Sequence, residues 1–175
     1  MALDTLGARP LAARAVTAQT RAPQARLAVL IGGQHCFVPV SQVGESVAMP
    51  PSIAPVPLAR DWLLGVANLH GCLHTVVDLA TYAGAAATSR TDESRLLTLA
   101  PRLKLNAALL VTEVLGLRSI GTLSPDRSAT PPAVFGLQQT PAWARAAGVD
   151  ASGHGWVELD LAALAADARF LMAGL

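Results

Sequence analysis

Two histidines and a cysteine occupy alternate positions in residues 70–74, which read His-Gly-Cys-Leu-His. Side chains two positions apart on a β-strand share a face, so His70, Cys72 and His74 could meet one Zn²⁺ or Cu ion. Asp78 is in phase as a possible fourth ligand. Same-face neighbours on a straight strand lie about 7 Å apart, however, so three of them reach one ion only if the chain bends at the glycine. Ordinary strand residues are therefore the preferred interpretation, and a small metal- or ligand-binding β-barrel that uses His70, Cys72 and His74 is the alternative.

No other motif in the sequence specifies a reaction. The chain contains neither a G-x-S-x-G nucleophile motif nor a glycine-rich phosphate-binding motif. The acids Glu45, Asp61, Asp78 and Glu113 are scattered and form no obvious pair, and residues 153–155, Gly-His-Gly, are typical of a plain turn. We therefore expect a protein that is not an enzyme and that has no cofactor or metal site.

The composition argues against nucleic acid and against membrane insertion. The 175 residues are 52% hydrophobic and 14% charged, and 13 basic residues face 12 acidic ones for a net charge of +1. A nucleic-acid binder carries a basic excess that this chain lacks. No apolar run approaches the ~20 residues of a membrane-spanning helix, and the N-terminus lacks the features of a secretory signal. We expect a cytoplasmic protein in which Cys36 and Cys72 are unpaired, buried thiols.

Composition also divides the chain into two parts. Residues 1–25 form a basic N-terminal extension with one acid, Asp4, and leucines loosely spaced along one helical face. This spacing, interrupted by Pro10, indicates a short amphipathic helix or a flexible tail. Residues 26–175 are expected to form the folded domain.

Hydrophobic periodicity and turn residues predict a mostly β domain. Three hairpins are expected, at 27–31 with 35–40, at 63–69 with 72–79, and at 95–99 with 107–111. Many short strands separated by turn signals favour a β-barrel or a pair of barrels.

The C-terminal part of the chain has the only strong helix signal. Residues 138–155 are interpreted as loop, with one helical turn at 143–147, and a strand is predicted at 156–160. Asp160 is a suitable N-cap for a helix over 161–166. The three tryptophans, Trp62, Trp143 and Trp156, are expected in the core.

Residues 62–79 resemble a family signature. The segment is similar to the CheW-like coupling proteins of bacterial chemosensory arrays, whose signature runs roughly G-V-x-N-L-R-G-x-x-x-P-V-x-D-L. The matching residues here are Gly65, Val66, Asn68, Leu69, Gly71, Val76, Asp78 and Leu79. Residues 27–45 resemble the family's opening hairpin and its V-x-E segment, 106–115 its second-barrel strand, and 156–164 its closing strand and helix. The resemblance covers about residues 26–170.

The resemblance implies both a fold and a function. It implies an all-β fold of two small five-stranded, SH3-like β-barrels packed on a shared core, with short N- and C-terminal helices and no active site. Such proteins are adaptors at membrane-associated chemosensory arrays. They join the cytoplasmic tip of a methyl-accepting chemoreceptor, held in an apolar groove, to the regulatory domain of a sensor histidine kinase, held at a barrel edge. The N-terminal extension and the ending are more similar to the PilI-type branch, which serves twitching motility by type IV pili.

The resemblance also implies which residues contact the partners. Position by position, these are Val43, Glu45, Gly65, Asn68, His70 and Gly71. The chain departs from the family pattern at His70 (usually arginine), Thr75 (usually proline) and Thr112 (usually aspartate). The resemblance implies that the family arginine pairs with the acid that matches Glu45. A His70–Glu45 pair is therefore expected here, weaker than the family pair and dependent on pH near about 6–7, so partner affinity or specificity is expected to differ.

Overall fold

The computed structural model describes residues 25–119, 123, 133–137 and 139–174. In these residues the chain forms ten strands: β1 (Arg26–Ile31), β2 (Gln34–Pro39), β3 (Val43–Ala48), β4 (Leu63–Leu69), β5 (Cys72–Val77), β6 (Arg95–Leu99), β7 (Ala107–Val111), β8 (Glu113–Arg118), β9 (Ala144–Val149) and β10 (Gly155–Leu159). Its three short helices are α1 (Leu79–Tyr82), α2 (Leu161–Ala165) and α3 (Ala168–Leu171). None of the helices in this part of the chain is long and apolar enough to cross a membrane. The interpretation of residues 1–24 as a helix or tail lies outside the described residues.

The strands form two five-stranded sheets. The order is β8-β1-β2-β10-β9 in one, here called the terminal sheet, and β3-β6-β7-β5-β4 in the other, the middle sheet. Neighbouring strands are antiparallel except β2 with β10 and β5 with β7. The predicted fold class is confirmed as the fold of two SH3-like barrels, although neither strand order closes into a ring.

The chain passes between the sheets at two points. It leaves the terminal sheet through a 3₁₀ turn, Val40–Gln42, and builds the whole middle sheet before it returns. It returns at Thr112, whose backbone N–H donates to the Leu30 carbonyl at 2.8 Å. The middle sheet is therefore inserted between β2 and β8 of the terminal sheet.

The three predicted hairpins are confirmed as β1–β2, β4–β5 and β6–β7. In the first, Gly32 and Gly33 both have positive φ, 53° and 78°. Two successive residues of this kind make the tight hairpin turn whose twist matches that of the strands.

A core shared by both sheets explains why the apolar runs are so continuous. Strand β7 is buried along its full length. Ala107, Leu109 and Val111 face the shared core, whereas Ala108 and Leu110 face a smaller cluster inside the middle sheet. The expectation for the tryptophans is confirmed, since Trp62 and Trp143 lie in the shared core and Trp156 lies inside the terminal sheet.

The prediction for residues 138–155 was wrong in its main feature. The proposed helical turn at 143–147 is largely strand β9, which pairs antiparallel with β10. Alanine favours a helix locally, but pairing with a buried neighbour strand overrides that preference. The prediction for Asp160 is confirmed, because its carboxylate accepts hydrogen bonds from the backbone N–H groups of Ala162 and Ala163 at the start of α2.

The two cysteines differ in environment. Both are free; Cys36 is buried, as expected, but Cys72 is exposed, so the prediction of two buried thiols was half wrong. Burial raises the pKa of the Cys36 thiol, which keeps it protonated and unreactive. Cys72 is exposed because β5 begins there, directly after the turn from β4.

Candidate partner-docking site

The turn between β4 and β5 presents His70 to solvent. His70 and Gly71 both have positive φ, 50° and 89°, as a tight hairpin turn requires. The Asn68 side-chain oxygen accepts a hydrogen bond from the Gly71 N–H at 2.8 Å. Asn68 and Gly71 therefore build the turn, and His70 is the residue that the turn displays.

Glu45 reaches the same place from β3. The register of β3 against β6 shifts between Val43 and Ser46, and the Glu45 N–H donates to Thr98 Oγ1 at 2.8 Å instead of continuing the ladder. A Cβ at Gly44 would lie 2.6 Å from the same hydroxyl oxygen, so glycine permits this close approach. The irregularity is a bulge, which turns a side chain out of the regular pleat.

Glu45 and His70 form the expected pair. Glu45 Oε2 lies 2.9 Å from His70 Nδ1, and the two side chains are 64% and 71% exposed. An exposed pair of this kind contributes at most about 1 kcal/mol to stability. Its position is therefore better suited to recognition than to holding the fold.

The pair stands at the rim of an open groove of about 520 Å³ at one end of the middle sheet. The groove is lined by residues of β3, the end of β4, the turn after it, β5, β6 and the connection to β7. These residues are Gly44, Glu45, Leu69, His70, Cys72, His74, Thr98, Leu99, Pro101 and Asn106. This described lining contains no Lys or Arg. Leucine and proline beside a few polar groups can bind an apolar segment of another protein and fix its orientation.

The sequence did not identify Thr98, Pro101 and Asn106 as groove residues. Thr98 and Pro101 belong to no motif, and Asn106 only begins the segment that resembles a family strand. All three reach the groove because β6 and β7 lie between β3 and β5. The available signal was Thr98 itself, a polar residue within the apolar run of β6.

Val43 and Gly65 do not line the groove. Val43 is half-buried and packs against the shared core. Gly65 is buried with φ +140°, and a Cβ there would lie 2.2 Å from the Ala54 carbonyl oxygen. Both residues support the elements that carry Glu45 and His70, and their contact with a partner remains a prediction, as it does for the other four.

The metal-site alternative is not supported. His70 lies in the turn rather than on the strand, so it does not alternate in phase with His74. The Nδ1 atom of His74 lies 3.1 Å from the Cys72 carbonyl oxygen, and Asp78 is buried at the start of α1. Within the described ranges, no three His, Cys, Asp or Glu side chains are grouped so that they could hold a metal ion.

Comparison with known proteins agrees with this geometry. The sequence model of the CheW-like domain matches residues 26–169. Protein PilI of Pseudomonas aeruginosa is 30% identical over 113 residues, which is 61% of this chain and 62% of that protein. This chain therefore spans less than two thirds of the PilI sequence. The crystal structure of the scaffolding protein TtCheW from Thermoanaerobacter tengcongensis shares the fold, with a TM-score of 0.60 and 21% identity over 78% of this chain and 88% of that one.

Proposed function

The chain belongs to the CheW-like family of non-enzymatic scaffold proteins, and on that premise we propose that it couples a methyl-accepting chemoreceptor to a chemotaxis-type sensor histidine kinase. The observation that carries the proposal is the Glu45–His70 pair at the rim of the open groove. The site places two exposed ionisable groups beside the apolar residues of the groove lining, which is the usual composition of a protein-binding surface. We assign this groove to the regulatory domain of the kinase.

The six predicted contact residues have distinct proposed roles. Glu45 and His70 contact the kinase directly, because both are exposed. Asn68 and Gly71 fix the turn that presents His70. Val43 and Gly65 act indirectly, because their packing holds β3 and β4 in position.

The receptor is proposed to bind a different surface, near the shared core. Phe170 of α3 packs in that core, whereas the next residues, Leu171 and Met172, are 55% and 69% exposed. Leu58 is also exposed, and the backbone close to it pairs with the C-terminal segment through Ala59 and Gly174. Exposed apolar residues of this kind suit the apolar face of a receptor helix.

We propose that the protein serves twitching motility and acts in the cytoplasm at membrane-associated arrays, and its similarity to PilI supports this branch. Deleting the gene in the bacterium that encodes it should abolish spreading by twitching and leave flagellar swimming intact. Loss of swimming with normal twitching would assign the chain to a flagellar system instead.

The adaptor function is tested by reconstitution. The full chain, the regulatory domain of the kinase and the cytoplasmic fragment of the receptor are mixed in pairs and together, and complexes are sized by chromatography with light scattering. The proposal predicts that the chain binds each partner and that all three elute together. Failure to bind either partner would overturn it.

A further inference from the structure

The docking groove contains one carboxylate, that of Glu45, whose burial by a partner would cost free energy. Among the described residues that line the groove, Glu45 is the only acid, and there is no Lys or Arg to neutralise it. A partner that covers the groove must remove water from this carboxylate, and burying an unpaired charge costs several kcal/mol.

His70 is the group that can offset this cost. Its Nδ1 lies 2.9 Å from Glu45 Oε2, so protonation of the ring converts a carboxylate–imidazole contact into a neutral ion pair. Imidazoles gain and lose a proton between about pH 5 and 8, whereas an arginine in the same place would be charged throughout.

The other charged and titratable groups around the pair do not replace His70. From β5, His74 and Cys72 line the groove, but His74 Nδ1 lies 3.1 Å from the Cys72 carbonyl oxygen rather than on Glu45. In the connection between β6 and β7, Arg102 donates from Nε to the Ser41 carbonyl at 2.6 Å, and Lys104 is exposed outside the lining. The β6 residues that line the groove, Thr98 and Leu99, carry no charge.

We propose that docking on this groove is coupled to uptake of one proton by His70, so that the chain binds its partner more tightly in mildly acidic than in mildly basic solution. The proposal requires a partner surface that is apolar and carries no cation of its own over Glu45, to match Pro101 and the small exposed parts of Leu69 and Leu99. The inference rests on the proposed function, since it concerns regulation of the same face.

The direction of the pH dependence follows from the linkage between proton uptake and binding. The complex stabilises the protonated ring beside the desolvated carboxylate, so the complex holds more protons than the free proteins above neutral pH. The dissociation constant then rises with pH, by about tenfold between pH 6 and pH 8. This pH range lies above the reference pKa of a Glu side chain, near 4.3, and below that of a free thiol, near 8.5.

The test is calorimetric titration of the full chain with the regulatory domain of the kinase at pH 6, 7 and 8. At pH 7 it is repeated in two buffers of different ionisation enthalpy, which counts the protons taken up. His70→Arg should bind with the same affinity at all three pH values and take up no proton. His74→Gln changes the other histidine of the groove lining and should keep the pH dependence of the wild type, whatever its affinity. His154→Gln, at an exposed histidine just before β10 in the terminal sheet, is the matched control and should behave like the wild type.

Each result decides a different point. A wild-type affinity that is independent of pH, or a pH dependence that survives in His70→Arg, would overturn the inference while leaving the adaptor function standing. A pH dependence that His74→Gln abolishes would assign the proton to the wrong ring and would also overturn it. If neither the wild type nor His70→Arg binds at any pH, the assignment of the groove to the kinase fails, and this inference fails with it.

Discussion

At the scale of single residues, Asp78 shows how one buried carboxylate organises the signature segment. It is 1% exposed. Its oxygens accept hydrogen bonds from the Ala80 and Thr88 N–H groups at 3.1 and 2.8 Å, and from the Thr81 and Thr88 hydroxyls at 2.8 and 2.6 Å. The sequence identified Asp78 as part of the motif and allowed it as a metal ligand. Its link to Thr88 could not be predicted, because that partner lies in a loop with no pattern of its own.

Replacing Asp78 should therefore destabilise the fold. Asp78→Ala leaves several buried donors without an acceptor and should lower the free energy of unfolding by about 2–4 kcal/mol. Thr88→Ala removes only the hydroxyl donor to the carboxylate and keeps the backbone N–H donor, so about 1 kcal/mol is expected. Urea unfolding followed by circular dichroism measures both. A loss below about 0.5 kcal/mol for Asp78→Ala would contradict this assignment.

His35 gives a second prediction at this scale. Its ring lies 4.7 Å from that of His154 and 4.9 Å from that of Trp156, centroid to centroid. Burial lowers the pKa of His35, the neighbouring His154 and Arg118 lower it further, and Asp150 acts in the opposite direction. The unfolded chain therefore takes up a proton at a higher pH than the folded chain does.

The free energy of unfolding should consequently fall as the solution is acidified from about pH 6.5, the value for an unperturbed imidazole, and should show its full His35 contribution above it. His35→Gln should flatten this part of the profile. The measurement is urea unfolding at intervals between pH 5 and pH 8. Equal slopes for the wild type and the variant would show that His35 is not the source.

At the scale of elements, the hairpins were predictable and the edge strand β9 was not. The alternation of apolar and polar residues and the glycine turns both lie within a single hairpin, so the local sequence is enough to predict them. Strand β9 is alanine-rich, and it is a strand because β10 offers it backbone partners; its register shifts between Trp156 and Val157. The candidate site divides in the same way. The motif located Glu45 and His70, but the strand order that brings Thr98 and Asn106 beside them depends on long-range pairing.

Two glycines of the signature should differ in their tolerance of alanine. Gly65 and Gly71 both have positive φ, but a Cβ at Gly65 meets the Ala54 carbonyl, whereas no atom lies within 4 Å of one at Gly71. Gly71→Ala should cost about 1 kcal/mol of backbone strain, and Gly65→Ala should cost about 1–3 kcal/mol more because strand and loop must separate. Thermal and urea unfolding of the two variants compare them directly. Equal losses would show that β4 and the Ala54 loop can move apart freely.

At the scale of the whole molecule, the shared core makes the two sheets one folding unit. The chain crosses between them at residues 40–42 and 112, and residues of both sheets pack in the same cluster. Gln42 also ties the first crossing to α2, since its Oε1 accepts from the Leu161 N–H at 2.7 Å and its Nε2 donates to Asp160 at 2.9 Å. Neither sheet is expected to stay folded when the other unfolds.

Leu109→Ala tests this cooperativity. Leu109 is fully buried in the shared core, and the cavity should cost about 2–5 kcal/mol. Tryptophan fluorescence and far-ultraviolet circular dichroism should still give one coincident unfolding transition, shifted to lower denaturant. Two separated transitions would show that the sheets unfold independently.

The most direct test of the scaffold assignment is the affinity of the kinase's regulatory domain for Glu45→Arg. The variant puts a guanidinium beside His70 and removes the carboxylate from the groove rim, so binding should weaken by at least tenfold, while the free energy of unfolding changes by less than about 1 kcal/mol. Glu93→Arg makes the same change of charge at an exposed position just before β6, at the end of that strand away from the groove. It should bind like the wild type. Unchanged affinity for Glu45→Arg, with unchanged stability, would contradict the assignment of this groove as the docking face.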